Sequence, residues 1–242
     1  MIGLGTIINV GAIVVGGIIG KFFGRFLKER HQDTLIKTCG VSTMFLSIGG
    51  AMEEMLAIEG SGLVSGRALF LVLCLVLGAL VGEIINIEGL FERFGEWLKI
   101  KSGNAKDKGF VNAFVTTSFT VCIGAMAIIG SIQDGLFGDY TILATKAILD
   151  FIIVLVLTGT MGNGCVFSAI PVLCLQGGMT LLARVIEPIM TEAALSNLSL
   201  VGSVMIFCVG MNLVFDKRVR VANLLPALVF AVAAAFLPFS LG

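Results

Sequence analysis

The chain has 242 residues, of which 57% are hydrophobic and 13% charged, with a mean hydropathy of +1.05 and a formal net charge of zero. Soluble domains carry about 25% charged residues, so this composition excludes a soluble globular domain and predicts a polytopic membrane protein. The 31 glycines agree with that class, because small residues let helices approach closely in lipid.

Eight apolar segments are long enough to be membrane-spanning helices. In chain order they cover residues 2–23, 35–53, 65–87, 110–131, 140–159, 164–183, 198–215 and 221–239. Pro171 and the pair of glycines after Gln176 interrupt the sixth segment. We therefore predict an all-α polytopic membrane protein. It forms a single transmembrane domain over residues 1–242, with about eight transmembrane helices and at least one broken helix.

The basic residues fall mainly on one side of this arrangement. The loops after the first, third and seventh segments hold five, five and three of the 16 Lys and Arg residues. Basic loops face the cytoplasm, so the pattern predicts that loops one, three, five and seven are cytoplasmic. Both termini are then extracytoplasmic.

The segment 84–100, between the third and fourth spans, combines apolar and charged residues at helical spacing. Its apolar side chains fall near one face, and its charged side chains, Glu88 among them, fall largely on the other. This pattern predicts an interfacial amphipathic helix on the cytoplasmic side. It is interpreted as a connector, with partner binding as the alternative.

The cysteines and the histidine exclude several chemistries. The cysteines lie inside spans or at their edges without a C-x-x-C pair, and His31 is the only histidine. Cysteines in such positions are typical of packing residues. A lone loop histidine supports neither serine hydrolysis nor a multi-histidine metal site. We expect no enzyme activity, no metal, no cofactor and no nucleic-acid partner.

Glycines recur at four-residue spacing in two spans. Gly16, Gly20 and Gly24 form one series, and Gly78 and Gly82 form another. This spacing predicts close helix packing within the chain, with a homo-oligomer through Gly16, Gly20 and Gly24 as the alternative.

A similar phrase recurs in three spans, as SIGGAM at 47–52, CIGAM at 122–126 and CVGMN at 208–212. The last two lie three spans apart, in helices that should run in opposite directions. An inverted repeat of three helices would produce that offset, and chance similarity between glycine-rich helices would produce it equally well.

Lys146 and Asp150 are the only charges in the stretch 140–160. Residues four apart share a helical face, so the two side chains should pair, and a charge at that depth costs about 2.5–3.5 kcal/mol on insertion scales. The pair is interpreted as a structural lock or as a titratable or ion-coordinating site. In both cases it should face the interior of the bundle.

Downstream, the segment 158–164 holds three glycines and three hydrogen-bonding side chains but no charge, so we expect it to be buried in protein or to line a cavity. Pro171 and the glycines after Gln176 indicate either a discontinuous or a kinked sixth span. Asn9 and Asn223 are lesser candidates. The predicted solute or ion path consists of Lys146, Asp150, Thr158, Thr160, Asn163, Ser168, Gln176 and Asn212.

Carboxylates follow the second and fourth spans on the predicted outer side, including Asp134 and Asp139. They are interpreted as residues that keep short loops hydrated, or as a mouth that attracts cations. Asp134, between two glycines, is also typical of a turn.

Several motifs together identify a family resemblance. They are GAMAIIGSIQDGL at 124–136, Lys146 with Leu149 and Asp150, FSAIPVL at 167–173, and RVANLLPAL at 220–228. Over essentially its whole length the chain resembles the YdfK/YqgA-like bacterial membrane proteins, a domain of unknown function. The resemblance implies an integral protein of the bacterial cytoplasmic (inner) membrane, with the lipid bilayer as its surroundings, and implies no substrate.

Two function classes agree with these observations. The first is a transporter or channel for a small solute or ion, with a polar site near mid-membrane around Asp150 and the sixth span. The alternative is a non-transporting scaffold or regulatory protein that acts through helix faces or the 84–100 segment. The buried charged pair and the uncharged glycine-rich segment favour transport.

Overall fold

The computed structural model describes residues 1–24, 26–59, 62–123, 125–215 and 219–236. Its helices are α1 (Leu4–Gly24), α2 (Glu29–Met55), α3 (Ala68–Ile85), α4 (Ile87–Lys101), α5 (Phe110–Cys122), α6 (Ala125–Phe137), α7 (Thr141–Met161), α8 (Ala169–Leu181), α9 (Ala183–Ile186), α10 (Glu192–Val214) and α11 (Pro226–Ala234). Short 3-10 helices, Asn163–Ser168 and Val221–Leu224, precede α8 and α11. An antiparallel hairpin of β1 (Leu56–Glu59) and β2 (Gly62–Ser65) follows α2.

The described residues contain six helices that are long and apolar enough to cross a membrane, or seven if the bent pair α5–α6 counts as one span. The last predicted span is shorter, since its apolar helix covers Val221–Ala234. An all-α polytopic membrane fold with a broken helix is confirmed, and the number of eight spans is approximate. Residues 124, 217, 218 and those after 236, which the sequence analysis used, lie outside the described residues.

The sixth span is not interrupted at the place predicted. Helix α8 runs without a break through Pro171 and the glycines after Gln176. Pro171 is the third residue of α8, where a backbone N–H has no intrahelical partner, so the missing donor does not disturb the helix. Gly162, whose φ is 104°, ends α7 between the fifth and sixth spans, and the sixth span then begins with the 3-10 turn Asn163–Ser168.

A second break, which was not predicted, divides the fourth span. Between α5 and Met126–Phe137 the axis bends by 62°. Ile123 is extended, with a ψ of 128°, and α5 therefore ends inside the apolar segment. The last carbonyl groups of a helix have no intrahelical donor, so this break leaves backbone acceptors at membrane depth.

Glycines hold the first span against the fifth. A Cβ at Gly16 would lie 2.7 Å from Phe151 O, and one at Gly20 would overlap Leu155 O, so only glycine lets α1 approach α7 this closely. Helices α2 and α10 pack in the same way, since a Cβ at Gly40 would lie 2.9 Å from Gly210 O. A homo-oligomer through Gly16, Gly20 and Gly24 stays a prediction, and it would require α1 and α7 to separate.

The recurring phrases adopt different local structures. Residues 47–52 and 208–212 lie inside the continuous helices α2 and α10, whereas residues 122–126 span the break between α5 and α6. The inverted repeat therefore stays a prediction.

Helix α4 covers most of the segment 84–100, and its interfacial position stays a prediction. Glu88, predicted on the polar face, is buried, while Phe94 and Trp97 are exposed. Asn223 Oδ1 accepts a hydrogen bond from the Glu88 backbone N–H at 2.8 Å. Asn223 thus binds the first turn of α4, whose N-cap is Asn86, and does not cap the helix that follows it.

Candidate functional site

Lys146 and Asp150 form a buried ion pair in α7. Lys146 Nζ lies 2.7 Å from Asp150 Oδ1 and 2.6 Å from Oδ2, and the two residues are 7% and 3% exposed. The pairing follows from the four-residue spacing, which places both side chains on the α7 face that packs against α1 and α5.

The break in the fourth span supplies the third acceptor atom for Lys146. Lys146 Nζ donates a hydrogen bond to Val121 O at 2.7 Å, in the last turn of α5. This carbonyl has no intrahelical donor, and the C-terminal end of a helix carries a partial negative charge. The broken helix and the charged pair therefore form one structural unit.

Two amide side chains complete the site. Asn9 Nδ2 donates to Asp150 Oδ2 at 3.0 Å and to Gln176 Oε1 at 3.2 Å, so α1 and α8 both reach the pair. We call Asn9, Lys146, Asp150 and Gln176 the central cluster. Gln176 was a predicted path residue, whereas Asn9 was only a lesser candidate, and its place in an apolar segment was its sole signal.

The central cluster holds unused hydrogen-bonding capacity. Asn9 Oδ1 and Gln176 Nε2 are buried, and neither has a partner among the described residues. The orientation of Asn9 is fixed, because Asp150 accepts hydrogen bonds and must face the Asn9 amide nitrogen. One acceptor and one donor group thus remain free beside the ion pair, where leaving them unfilled costs free energy.

Further polar side chains lie between the central cluster and the first residues of α1. Thr6 Oγ1 lies 3.5 Å from Thr180 Oγ1, and Thr180 is one helical turn from Gln176. Asp134 Oδ1 and Oδ2 accept hydrogen bonds from the backbone N–H groups of Gly3 and Gly5 at 3.2 and 3.0 Å.

Two of the predicted outer carboxylates, Asp134 and Asp139, have different surroundings. The interpretation of Asp134 as a hydrated loop or turn residue is wrong, because its side chain is fully buried and caps α1. Asp139 is exposed, and hydrogen bonds from the Thr141 hydroxyl and backbone N–H hold the pKa of its carboxyl below the ordinary value.

Thr158 and Ser168 lie at a second level, away from the central cluster. Each is eight residues from a cluster residue on its own chain segment, which corresponds to about 12 Å along a helix. Thr158 Oγ1 is buried without a hydrogen-bond partner among the described residues, and Ser168 Oγ donates to Cys165 O at 2.7 Å. Thr158 and Ser168 are therefore not part of one site with Asp150 and Gln176.

The remaining predicted path residues make local contacts. Thr160 Oγ1 donates to Val156 O at 2.9 Å within α7, and Asn163 Nδ2 lies 3.5 Å from Asn104 Oδ1. Asn212 bonds Val219 twice, at 2.7 and 2.9 Å, and so fixes the chain after α10. Among the described residues, no hydrogen bond joins these side chains to the ion pair.

A cavity of about 280 Å³ lies between α5, α10 and the end of α7. Asn112, Thr116 and Asn212 give it a partly polar lining, and Phe119, two residues before Val121, also lines it. The cavity thus reaches the last turns of the helix that binds Lys146. Within the described part of the chain, no group of His, Cys, Asp or Glu side chains could hold a metal ion.

Comparison with known proteins gives a family but no assigned activity. Residues 4–236 match the family described as "Protein of unknown function (DUF554)". The chain belongs to this family. The resemblance inferred from the sequence motifs is confirmed, and so is the multi-pass membrane class.

Two relatives cover nearly the whole chain. The "Uncharacterized membrane protein YdfK" of Bacillus subtilis (strain 168) is 29% identical over 238 residues, covering 98% of each chain. The "Uncharacterized protein YqgA" of Escherichia coli (strain K12) is 26% identical over 233 residues, covering 95% of this chain and 94% of its own. No solved structure matches the chain.

Proposed function

We propose that the protein transports a small solute or ion across the membrane, with the central cluster as its binding site. One observation carries the proposal. A buried ion pair lies beside an unfilled acceptor, Asn9 Oδ1, and an unfilled donor, Gln176 Nε2. These atoms are the groups with which a polar ligand would form hydrogen bonds.

A purely structural role explains these atoms less well. Replacing a buried ion pair with apolar residues of similar volume is often neutral or stabilising, so packing alone does not require charges at this depth. Ionisable residues within membrane spans usually mark pathways for substrates, ions or protons. The end of α5 at the same site resembles the discontinuous helices that form binding sites in secondary transporters.

The orientation of the protein is part of the proposal. We propose that it lies in the bacterial cytoplasmic membrane, with the basic loops inside and both termini outside. A reporter that is active only after export, fused after Gly242, should be active. Activity of a cytoplasmic reporter at that position would exclude this orientation.

Transport requires that water reach the central cluster in at least one conformation. Thr6 is 3% exposed and lies three residues before Asn9. In protein without the native cysteines, Thr6→Cys should react with a small water-soluble thiol reagent as the site opens. Val154→Cys is the matched control, because Val154 is equally buried but lies in the apolar cluster of Ile13, Val121 and Val172.

The outcome separates the two function classes. Labelling of Thr6→Cys, with Val154→Cys inert, supports an opening site. If both positions stay unlabelled in folded protein, the cluster is a static packing element, and the scaffold or regulatory alternative describes the protein better.

A further inference from the structure

We infer that the transported solute is a small zwitterion, which carries one ammonium and one carboxylate as free amino acids do. The inference rests on the proposed function and gives its substrate class. It follows from how hydrogen-bonding groups and charges are divided in the central cluster.

Besides the bond between Asn9 Nδ2 and Gln176 Oε1, the cluster offers a ligand two accepting and two donating groups. Asp150 and Asn9 Oδ1 can accept hydrogen bonds from an ammonium group, while Lys146 and Gln176 Nε2 can donate to a carboxylate. The free amide atoms therefore add one acceptor and one donor to the two charges of the cluster. A ligand with both charges would find two partners for each of its ends.

Charge balance distinguishes a zwitterion from a simple ion. Helices α5 and α8, which pack around the pair, contain no charged residue. In α1 the only charge is Lys21, about 18 Å along the helix from Asn9 at 1.5 Å per residue. Asp134 is the charge of α6, and it is occupied by the start of α1.

A singly charged solute would consequently leave one member of the pair without a counter-charge. An anion that took Lys146 would isolate Asp150, and a cation that took Asp150 would isolate Lys146, and an uncompensated buried charge is strongly unfavourable. A zwitterion exchanges the internal ion pair for two ligand pairs, and the net charge of the site stays at zero.

The test compares glycine with molecules that each represent one of its ends. Purified full-length protein is heated with glycine, L-alanine or L-serine, and in parallel with acetate or methylammonium chloride, while the fluorescence of Trp97 reports unfolding. The amino acids should raise the unfolding midpoint, since a ligand that binds only the folded state stabilises it. Acetate and methylammonium should not.

Two double variants provide matched controls. Lys146→Met with Asp150→Leu removes the buried pair without leaving a charge and should abolish the shift. Lys37 and Asp33 form an exposed pair with the same spacing, at 2.8 Å, and their removal should leave the shift unchanged. As a further check, Gln176→Ala should raise the half-saturating amino-acid concentration roughly tenfold through loss of a charge-assisted hydrogen bond.

The possible results are distinguishable. A shift with acetate or methylammonium alone overturns the zwitterion class and leaves the proposed transport intact. If no compound of the panel raises the unfolding midpoint, the zwitterion class is also overturned. The labelling of Thr6→Cys then decides separately whether the site opens to water. If the amino-acid shift persists in the Lys146→Met/Asp150→Leu variant, the zwitterion binds elsewhere and the inference is wrong.

Discussion

Replacing one member of the buried ion pair should harm the protein more than replacing both. In Asp150→Leu, Lys146 loses two of the three acceptor atoms it contacts and keeps only Val121 O. Breaking a buried pair from one side costs about 3–5 kcal/mol. In the double variant with Lys146→Met no charge is left, and the main loss is the donor to Val121 O, at about 1–3 kcal/mol.

The double variant should therefore be more stable than Asp150→Leu by about 2 kcal/mol. For chains of this length 1 kcal/mol corresponds to about 2–4 °C, so the two unfolding midpoints should differ by about 4–8 °C. Trp97 is the only tryptophan, and its fluorescence during heating in detergent measures each midpoint directly.

The exposed pair of Asp33 and Lys37 is again the control, since single and double changes there should stay within about 0.5 kcal/mol of wild type. Equal midpoints for Asp150→Leu and the double variant would refute the coupling between Lys146 and Asp150. Recovery of stability without recovery of transport would show that the pair acts beyond folding.

Four further predictions concern other parts of the molecule. Trp97 is 53% exposed, and if α4 lies in the membrane interface, lipids brominated near the headgroup should quench its fluorescence more than lipids brominated near the chain end; the reverse order would contradict an interfacial position. Gly20→Ala should destabilise by about 1–3 kcal/mol through overlap with α7, whereas Gly11→Ala, which has nothing within 4 Å, should be tolerated. Asp134→Ala should cost about 1–3 kcal/mol by leaving two backbone N–H groups unpaired, measured as a lower unfolding midpoint. Asp139 should act differently: because its pKa is lowered on folding, its stabilising contribution is present above the ordinary aspartate range and is lost as pH falls through the lowered pKa, so Asp139→Asn should reduce the acid dependence of the midpoint.

The sequence alone predicts the membrane class and the pairing of Lys146 with Asp150, because apolar length and four-residue spacing are local properties. It does not predict where the helices break. Pro171 is a signal for interruption that α8 tolerates, since the proline lies in its first turn. The break after α5 has no proline, and the donor to its Val121 carbonyl is Lys146, which comes from another helix.

Contacts between distant segments account for the other differences. Asn9 is one polar residue in an apolar span, and only the approach of α7 and α8 gives it a role. Asp134 has the local sequence of a turn residue, but the N-terminus of α1 lies beside it and removes it from water. The backbone N–H of buried Glu88 likewise finds its acceptor in Asn223, which is 135 residues away in the chain.

The glycine seam between α1 and α7 has a consequence for how the site could open. Asn9, Lys146 and Asp150 all belong to that closely packed helix pair, whereas Val121 and Gln176 belong to α5 and α8. A rigid-body movement of the α1–α7 pair would therefore break two hydrogen bonds of the central cluster, Lys146 to Val121 O and Asn9 to Gln176. It would also break the bonds at the start of α1, between Thr6 and Thr180 and from Gly3 and Gly5 to Asp134. At about 0.5–1.5 kcal/mol each, these bonds together oppose the movement by several kcal/mol, while the ion pair would travel intact with the moving helices.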